Sequence, residues 1–447
     1  MDGISLLLGV SSSRPASRLA EAHPFHRRRC ARGSFDLAER FVRRNRSLRS
    51  HLRVFNRHQT RMVFVHCGNL WRRRIRPCRG VGVRVPLRSQ ASGLRDYSLV
   101  PPPRYTVSPL DFVVHRSRVI GFGSFGTVYE ANKAVAPEEG LLVAAKTVPK
   151  ERLSGMQLHD ALYYFAIERY ANDQVRAAIE SGDAKSLARH VARYLGYGEH
   201  AGQEWLFFER VPGATLEHYF DSGSDDAAFA LALGQALGLV ELDVRDGVVD
   251  LLRRLFLRIA YDTLQTLVSF AQLGMVHRDM KPLNWIVDDR AHTLRILDLG
   301  SSAFLSTPRY GAVIGYNARW GPADTDYVAP ESFIDPRFPY QFDVYSCAMS
   351  LLRLAIPGLR NPAQFRTFVE EFRNMHRSDL ALYASRAFAG NAAFIPDHLV
   401  TGLIVLKGED GRLFELVRGM LRESPQDRLS PEEALVELDK IKARTPA

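Results

Sequence analysis

The stretch His277-Arg278-Asp279-Met280-Lys281-Pro282-Leu283-Asn284 gathers an acid, a cation and a carboxamide into one short segment. Fourteen residues past Asn284 stand Asp298-Leu299-Gly300, and Tyr327-Val328-Ala329-Pro330-Glu331 follow further on. Upstream, Val113–Gly121 reads as a strand entering Gly121-Phe122-Gly123-Ser124-Phe125-Gly126-Thr127-Val128, a G-x-G-x-x-G-x-V pattern. Such a glycine run also opens dinucleotide-binding folds, where it leads into a helix and meets an acid about 20 residues later. Here Val128-Tyr129-Glu130 continues as a strand instead, and Val143-Ala144-Ala145-Lys146 follows. Glycines let backbone N–H groups approach an anion closely, and Lys146 adds the cation.

H-R-D-x-K-x-x-N, D-x-G and A-P-E, in that order behind a glycine loop and V-A-x-K, resemble the eukaryotic protein kinases over residues 112–445. The resemblance implies an α+β, two-lobed fold with a small β-rich N-lobe (about 110–211) and a larger helical C-lobe (about 212–445). It implies Mg2+ and ATP as cofactors and proteins with serine or threonine acceptors as substrates. Gly121, Gly123, Ser124, Gly126 and Lys146 would hold the phosphates, while Val128, Ala144, Phe208, Glu209 and Val211 would surround the adenine. Asp279 would orient the acceptor hydroxyl and take its proton, and Lys281 would reach the transferring phosphoryl group. Asn284 and Asp298 supply the hard oxygen ligands that Mg2+ prefers. A pseudokinase is the rival within the fold, but such chains usually lack the lysine or one of the two aspartates.

Further segments fit the same anatomy. Trp205–Gly213 reads as a buried strand running into a hinge, and Leu251, Leu255, Ile259, Leu267 and Phe270 recur at helical spacing ahead of the acid loop. Asp343 matches a buried acid tied to that loop's backbone, and Arg428 a partner for Glu331. Glu168, on a helical pattern over Ala161–Glu180, is the expected partner of Lys146, with Asp173 the nearest alternative. Asn172 stands where an apolar residue is usual one turn on. Ser306, Thr307, Tyr310 and Thr325 are possible phosphorylation sites, with Arg278 a potential phosphate partner. Thr325 lies one residue closer to Tyr327 than the usual substrate-loop threonine.

Charge is distributed unevenly along the 447 residues. Residues 1–95 hold 22 arginines, no lysine and four acids, a net +18, whereas the whole chain carries +11. The first lysine is Lys133, and Pro101-Pro102-Pro103 reads as a stiff linker closing the arm of residues 1–100. An arginine- and serine-rich, acid-poor N-terminus looks like an organelle transit peptide. A basic tail binding nucleic acid is the rival of another class, though no zinc-finger spacing or other motif accompanies it. His58, His66, Cys67 and Cys78 form no recognisable metal pattern, and four cysteines are too few for a disulfide scaffold. No apolar run reaches the ~18–20 residues of a membrane-spanning helix.

Gln341-Phe342-Asp343-Val344-Tyr345-Ser346, closed by Ala355-Ile356-Pro357-Gly358-Leu359-Arg360, resembles the thylakoid state-transition kinases of plants and algae. So do Asp298-Leu299-Gly300-Ser301-Ser302-Ala303 and an extra segment over about Asp221–Asp250. That resemblance implies a chloroplast address, at the stroma or the stromal thylakoid face, with mitochondrion or cytoplasm as runner-up. It also implies light-harvesting or photosystem proteins as partners. Members of the family typically carry a membrane anchor and a lumenal cysteine pair ahead of the kinase domain. Neither is found here, so tethering and thiol control are not carried over.

Overall fold

The computed structural model describes residues 100–123, 126–134, 141–222, 225–239, 247–305, 324–331, 334–389, 397–408 and 410–443. The arginine-rich arm lies outside them, as do Ser124 and three of the proposed phosphorylation sites, Ser306, Thr307 and Tyr310.

Strands β1 (Phe112–Phe122), β2 (Thr127–Lys133) and β3 (Leu142–Thr147) lead to helix α1 (Gly155–Ser181) and the short α2 (Leu187–His190). Then β4 (Tyr194–His200) and β5 (Gln203–Glu209) complete an antiparallel sheet of order β1-β2-β3-β5-β4. Alternation along β3 explains its placement. Val143 and Ala145 point into a core with Ala131, Trp205 and Phe207, which turns Ala144 and Lys146 to the opposite face. Phe112 stacks on Phe207 with centroids 4.1 Å apart. Beneath the sheet, Val148, Ala161, Phe165, Tyr194 and Leu206 join it to α1, which ends at Gly182 in the left-handed conformation that favours glycine.

The chain crosses to the second lobe at Arg210–Gly213. Gly213 has φ +100°, and a Cβ there would stand 2.0 Å from the Val287 carbonyl, so only glycine fits this crossing. The second lobe is helical: α3 (Leu216–Asp221), α4 (Asp226–Ala236), α5 (Val248–Gln272), α6 (Gln341–Ala355), α7 (Pro362–Asn374), α8 (Leu380–Ala389), α9 (Asp397–Lys407), α10 (Arg412–Met420) and α11 (Pro431–Lys442). The stripe read from the sequence lies on α5, where Leu255, Ile259, Leu267 and Phe270 are buried. This helix packs against α4, α6 and α11. Small strands β6 (Ala214–Thr215), β7 (Met275–Val276), β8 (Trp285–Asp288), β9 (Thr293–Ile296) and β10 (Ala303–Phe304) form two small sheets, β6-β8-β9 and β7-β10. Of these, β7 and β8 flank the acid loop. Among the described residues no helix is long and apolar enough to cross a membrane.

The segment read from its prolines as a linker is packed on this fold. Thr106 bridges Tyr197 of β4, and the amides of Val107 and Tyr197 exchange bonds with the carbonyls of Tyr197 and Tyr105. Arg169 donates to the Pro101 carbonyl, the Arg104 amide to Asp173 at 3.0 Å, and the Tyr105 hydroxyl to Glu180 at 2.6 Å. A composition change marked the place but carried no signal of these partners, which lie on α1 and β4.

Candidate active site

Lys146 leaves the cleft face of β3 beside Val128 of β2, its pairing partner, and Leu206 of β5. Its Nζ lies 2.6 Å from Glu168 Oε2 on α1 and 3.1 Å from Asp298 Oδ1. Burial alone would lower its pKa, but the two carboxylates outweigh it and hold the ammonium above its ordinary range. Burial likewise opposes ionisation of Asp298, yet Lys146 keeps that carboxyl below the usual value. At Glu168 burial dominates and raises the carboxyl against the pull of Lys146. The rival acid, Asp173, points elsewhere and pairs with Arg169 at 3.4 Å. Asn172 is buried and returns its amide to the Glu168 carbonyl at 2.8 Å, which satisfies a polar group where an apolar one was expected.

Gly123 and Gly126 of the glycine run lie beside this cluster. The Gly123 amide donates to the Gly126 carbonyl at 2.9 Å. A Cβ on Gly126 would meet Lys146 Cε and the Thr147 carbonyl at 3.2 Å, and one on Gly123 would lie 3.8 Å from Asp298 Oδ2. Gly121 pairs with Val128. On the other wall Ala144 pairs with Phe208, whose half-buried ring lies 5.4 Å from that of Tyr194. The Glu209 amide donates to the Arg193 carbonyl and its carboxylate lies 3.5 Å from Arg193; Val211 follows in the crossing.

The acid loop is fixed from behind. Asp343, at the start of α6, accepts the His277 and Arg278 amides at 2.6 and 2.8 Å. Arg278 takes φ +68° and donates to the Ser301 carbonyl. Lys281 Nζ stands 3.0 Å from Asp279 Oδ2. Asn284 Nδ2 donates to the Asp279 carbonyl at 2.8 Å and to Oδ2 at 2.9 Å, so it is not the carboxamide oxygen that these bonds occupy. Asp279 Oδ1 is buried with no partner. Asp298 adopts φ +58° and accepts the Gly300 amide at 3.2 Å. In the A-P-E segment Glu331 receives both guanidinium nitrogens of Arg428 at 2.8 and 2.9 Å.

These groups fit a magnesium nucleotide. An unpartnered buried carboxylate oxygen is costly unless an incoming group completes it, and Asp279 Oδ1, beside the nucleotide groups, is left for an acceptor hydroxyl. Among the described residues no three His, Cys, Asp or Glu side chains converge as a metal cage. Asn284 and Asp298 offer the hard oxygen donors that Mg2+ takes, one or two of them completed by phosphate and water.

Residues 114–437 match the protein kinase domain family. The chain belongs to that family. Its relatives include the chloroplastic serine/threonine-protein kinases STN7 and STN8 of Arabidopsis thaliana. The first is 28% identical over 347 residues, 73% of this chain and 56% of the relative. The second is 26% identical over 355 residues, 70% of this chain and 66% of the relative. The chain therefore spans less than two thirds of either. A crystal structure of a Stt7 homolog from Micromonas algae soaked with ATP shares the fold, with a TM-score of 0.56 at 21% identity. The match covers 75% of this chain and 94% of that one.

Two features of the kinase site were missed in the sequence. Asp324, three residues before Tyr327, puts a further carboxylate 3.6 Å from Lys281, whereas Thr325 is exposed and gives its carbonyl to Arg373. Arg353 is fully buried and donates to Glu217 of α3 at 2.7 Å and to the Tyr327 hydroxyl. No local pattern announces an arginine whose partners lie 26 and 136 residues away.

Proposed function

We propose that the chain is a Mg·ATP-dependent serine/threonine protein kinase of the plastid. The observation that carries this reading is the pairing of Lys146 with both Glu168 and Asp298, while Asp279 keeps one oxygen unpartnered beside Lys281. Lys146 and the loop Gly121–Gly126, Ser124 included, would hold the phosphates, with Val128, Ala144, Phe208, Glu209 and Val211 around the adenine. Asn284 and Asp298 would hold Mg2+, which when bound neutralises phosphate charge. Asp279 accepts the proton of the acceptor hydroxyl on its free oxygen, and Lys281 holds that carboxylate and offers charge to the phosphoryl group. Phosphoryl transfer asks for positioning and electrostatics more than covalent help, and these residues offer both.

The serine/threonine preference rests on the two Arabidopsis relatives and on Lys281, a lysine two residues after the acid. The plastid setting rests on the chloroplastic relatives and on the arginine-rich, lysine-free residues 1–95. Proteins exposed on the stromal side of photosynthetic membranes, such as light-harvesting or photosystem subunits, are the substrate class this setting favours. The domain limits we assign are an arm over residues 1–100 and a kinase domain over about 110–445.

Transfer of labelled phosphate from ATP to dephosphorylated casein tests the reading. Wild type should label serine or threonine only when Mg2+ is present. Asp298→Asn should lose at least about a hundredfold, because one metal ligand is worth several kcal/mol of barrier. Equal labelling by both proteins, or none by wild type, would overturn it.

A further inference from the structure

Arg373 stands in the last turn of α7, and its guanidinium, 5.8 Å from the Tyr345 ring, gives its terminal nitrogens to a single short turn. Nη1 donates to the Thr325 carbonyl at 2.6 Å, and Nη2 to the carbonyls of Asp326 and Val328 at 3.2 and 2.6 Å. Three acceptors from four consecutive residues thus meet one cation. The turn is also closed internally: the Tyr327 and Val328 amides donate to the Asp324 carbonyl at 3.0 and 2.9 Å, and the Asp326 amide to Asp324 Oδ1 at 3.1 Å.

Both ends of this turn reach other parts of the molecule. At its start Asp324 Oδ2 lies 3.6 Å from Lys281 Nζ, which in turn lies 3.0 Å from Asp279. At its far side the Tyr327 hydroxyl accepts from buried Arg353, and the Tyr327 ring lies 5.0 Å from Phe365 of α7. The turn is therefore a ledge beside the acid loop, held at Lys281 on one side and at α7 on the other. Thr325 is exposed on it.

We infer that Arg373 is a positioning residue for the protein acceptor: it fixes the ledge Asp324–Val328 on which the acceptor segment rests, so that its hydroxyl arrives beside Asp279. This role rests on the kinase reading of the site. A guanidinium suits the task because its planar fork holds several carbonyls at fixed angles, which an ammonium on a flexible stem cannot do. Without it, three carbonyls lose their charged donor, and what remains on the ledge is its internal bonds, the long ion pairs of Asp324 to Lys281 and of Asp326 to Arg366 at 3.6 and 3.7 Å, and the Tyr327 side chain held by Arg353 and Phe365. Helix α7 itself is anchored by buried Phe365, Phe368, Val369 and Phe372, so removing Arg373 is a local change. Lys146 and the glycine loop lie on other elements, so nucleotide binding is not the property affected.

The test compares the full chain with its Arg373→Ala and Arg373→Lys variants, using dephosphorylated casein as acceptor. In Arg373→Ala the KM for casein should rise at least about tenfold, while the KM for ATP stays within about twofold. Arg373→Lys should recover only part of the loss, since one ammonium cannot span three carbonyls. Hydrogen exchange supplies a readout that does not depend on turnover: the amides of Asp326–Val328 should exchange faster in Arg373→Ala, with those of α5 unchanged. An unchanged KM for casein, an equal rise in both KM values, or unaltered exchange on the ledge would overturn the inference. A wild-type chain that transfers no phosphate would remove the kinase reading and this role with it, an outcome recognised without any variant.

Discussion

Two carboxylates converge on one ammonium in the cleft, and each is oriented by a different element. Glu168 comes from α1 and Asp298 from the turn after β9, so the contact at Lys146 holds only when helix and turn are both in place. These residues were legible in the sequence because the chemistry restricts both residue type and spacing. Arg353, Arg373 and Asp324 were not, because each is paired with groups far away in sequence that no local pattern announces. Cys347 belongs to the same scale. It is buried on α6 with its thiol donating to Thr263, and burial pushes its pKa up to about 12. The thiolate is the reactive form, so a raised pKa leaves the thiol protonated and inert at neutral pH. In the folded protein at pH 8, alkylation of Cys347 followed by mass spectrometry should run about a thousandfold slower than in the unfolded chain. Comparable rates in the two states would show that the thiol is accessible.

At the scale of elements, β1, β2, β3 and β5 were readable from the segments around the glycine loop, Lys146 and the hinge, α1 from its helical pattern, and α5 from its stripe, since one buried helix face imposes a period; β4 was not read. The packed strap over residues 100–111 was not readable, because its partners on α1 and β4 are supplied by the tertiary fold. Glycine is the one trace it leaves. A Cβ on Gly198 would stand 2.7 Å from both Pro109 Cγ and the Val107 carbonyl, so β4 needs a bare backbone for the strap to approach. Gly198→Ala should push the strap away and destabilise the fold by about 1–3 kcal/mol, the usual cost of overpacking. Thermal melting checks this, and a melting temperature equal to that of wild type would mean that the strap yields freely. The strap bonds Arg169, Asp173 and Glu180 of the helix that carries Glu168. Its displacement is thus a change at α1 as well as at the sheet edge.

At the scale of the whole molecule, a buried ion pair joins segments far apart in sequence. Arg428 reaches Glu331 through two bonds and adds the carbonyls of Gln341, Arg422 and Glu423, which locks the A-P-E segment to the start of α6 and to the turn before α11. Glu331→Ala leaves a fully buried guanidinium without its counter-charge and should cost about 3–5 kcal/mol, read as a lower denaturant midpoint with unchanged slope. A loss below about 1 kcal/mol would place the pair among surface-like bridges. Asp343 holds the loop that presents Asp279, and in the proposed function this presentation serves proton acceptance during phosphoryl transfer. A single-turnover measurement with saturating Mg·ATP and casein, comparing wild type with Asp279→Asn, tests it most directly. The expected result is wild-type nucleotide affinity in the variant with a transfer rate at least about a hundredfold lower; equal rates in the two proteins would contradict it.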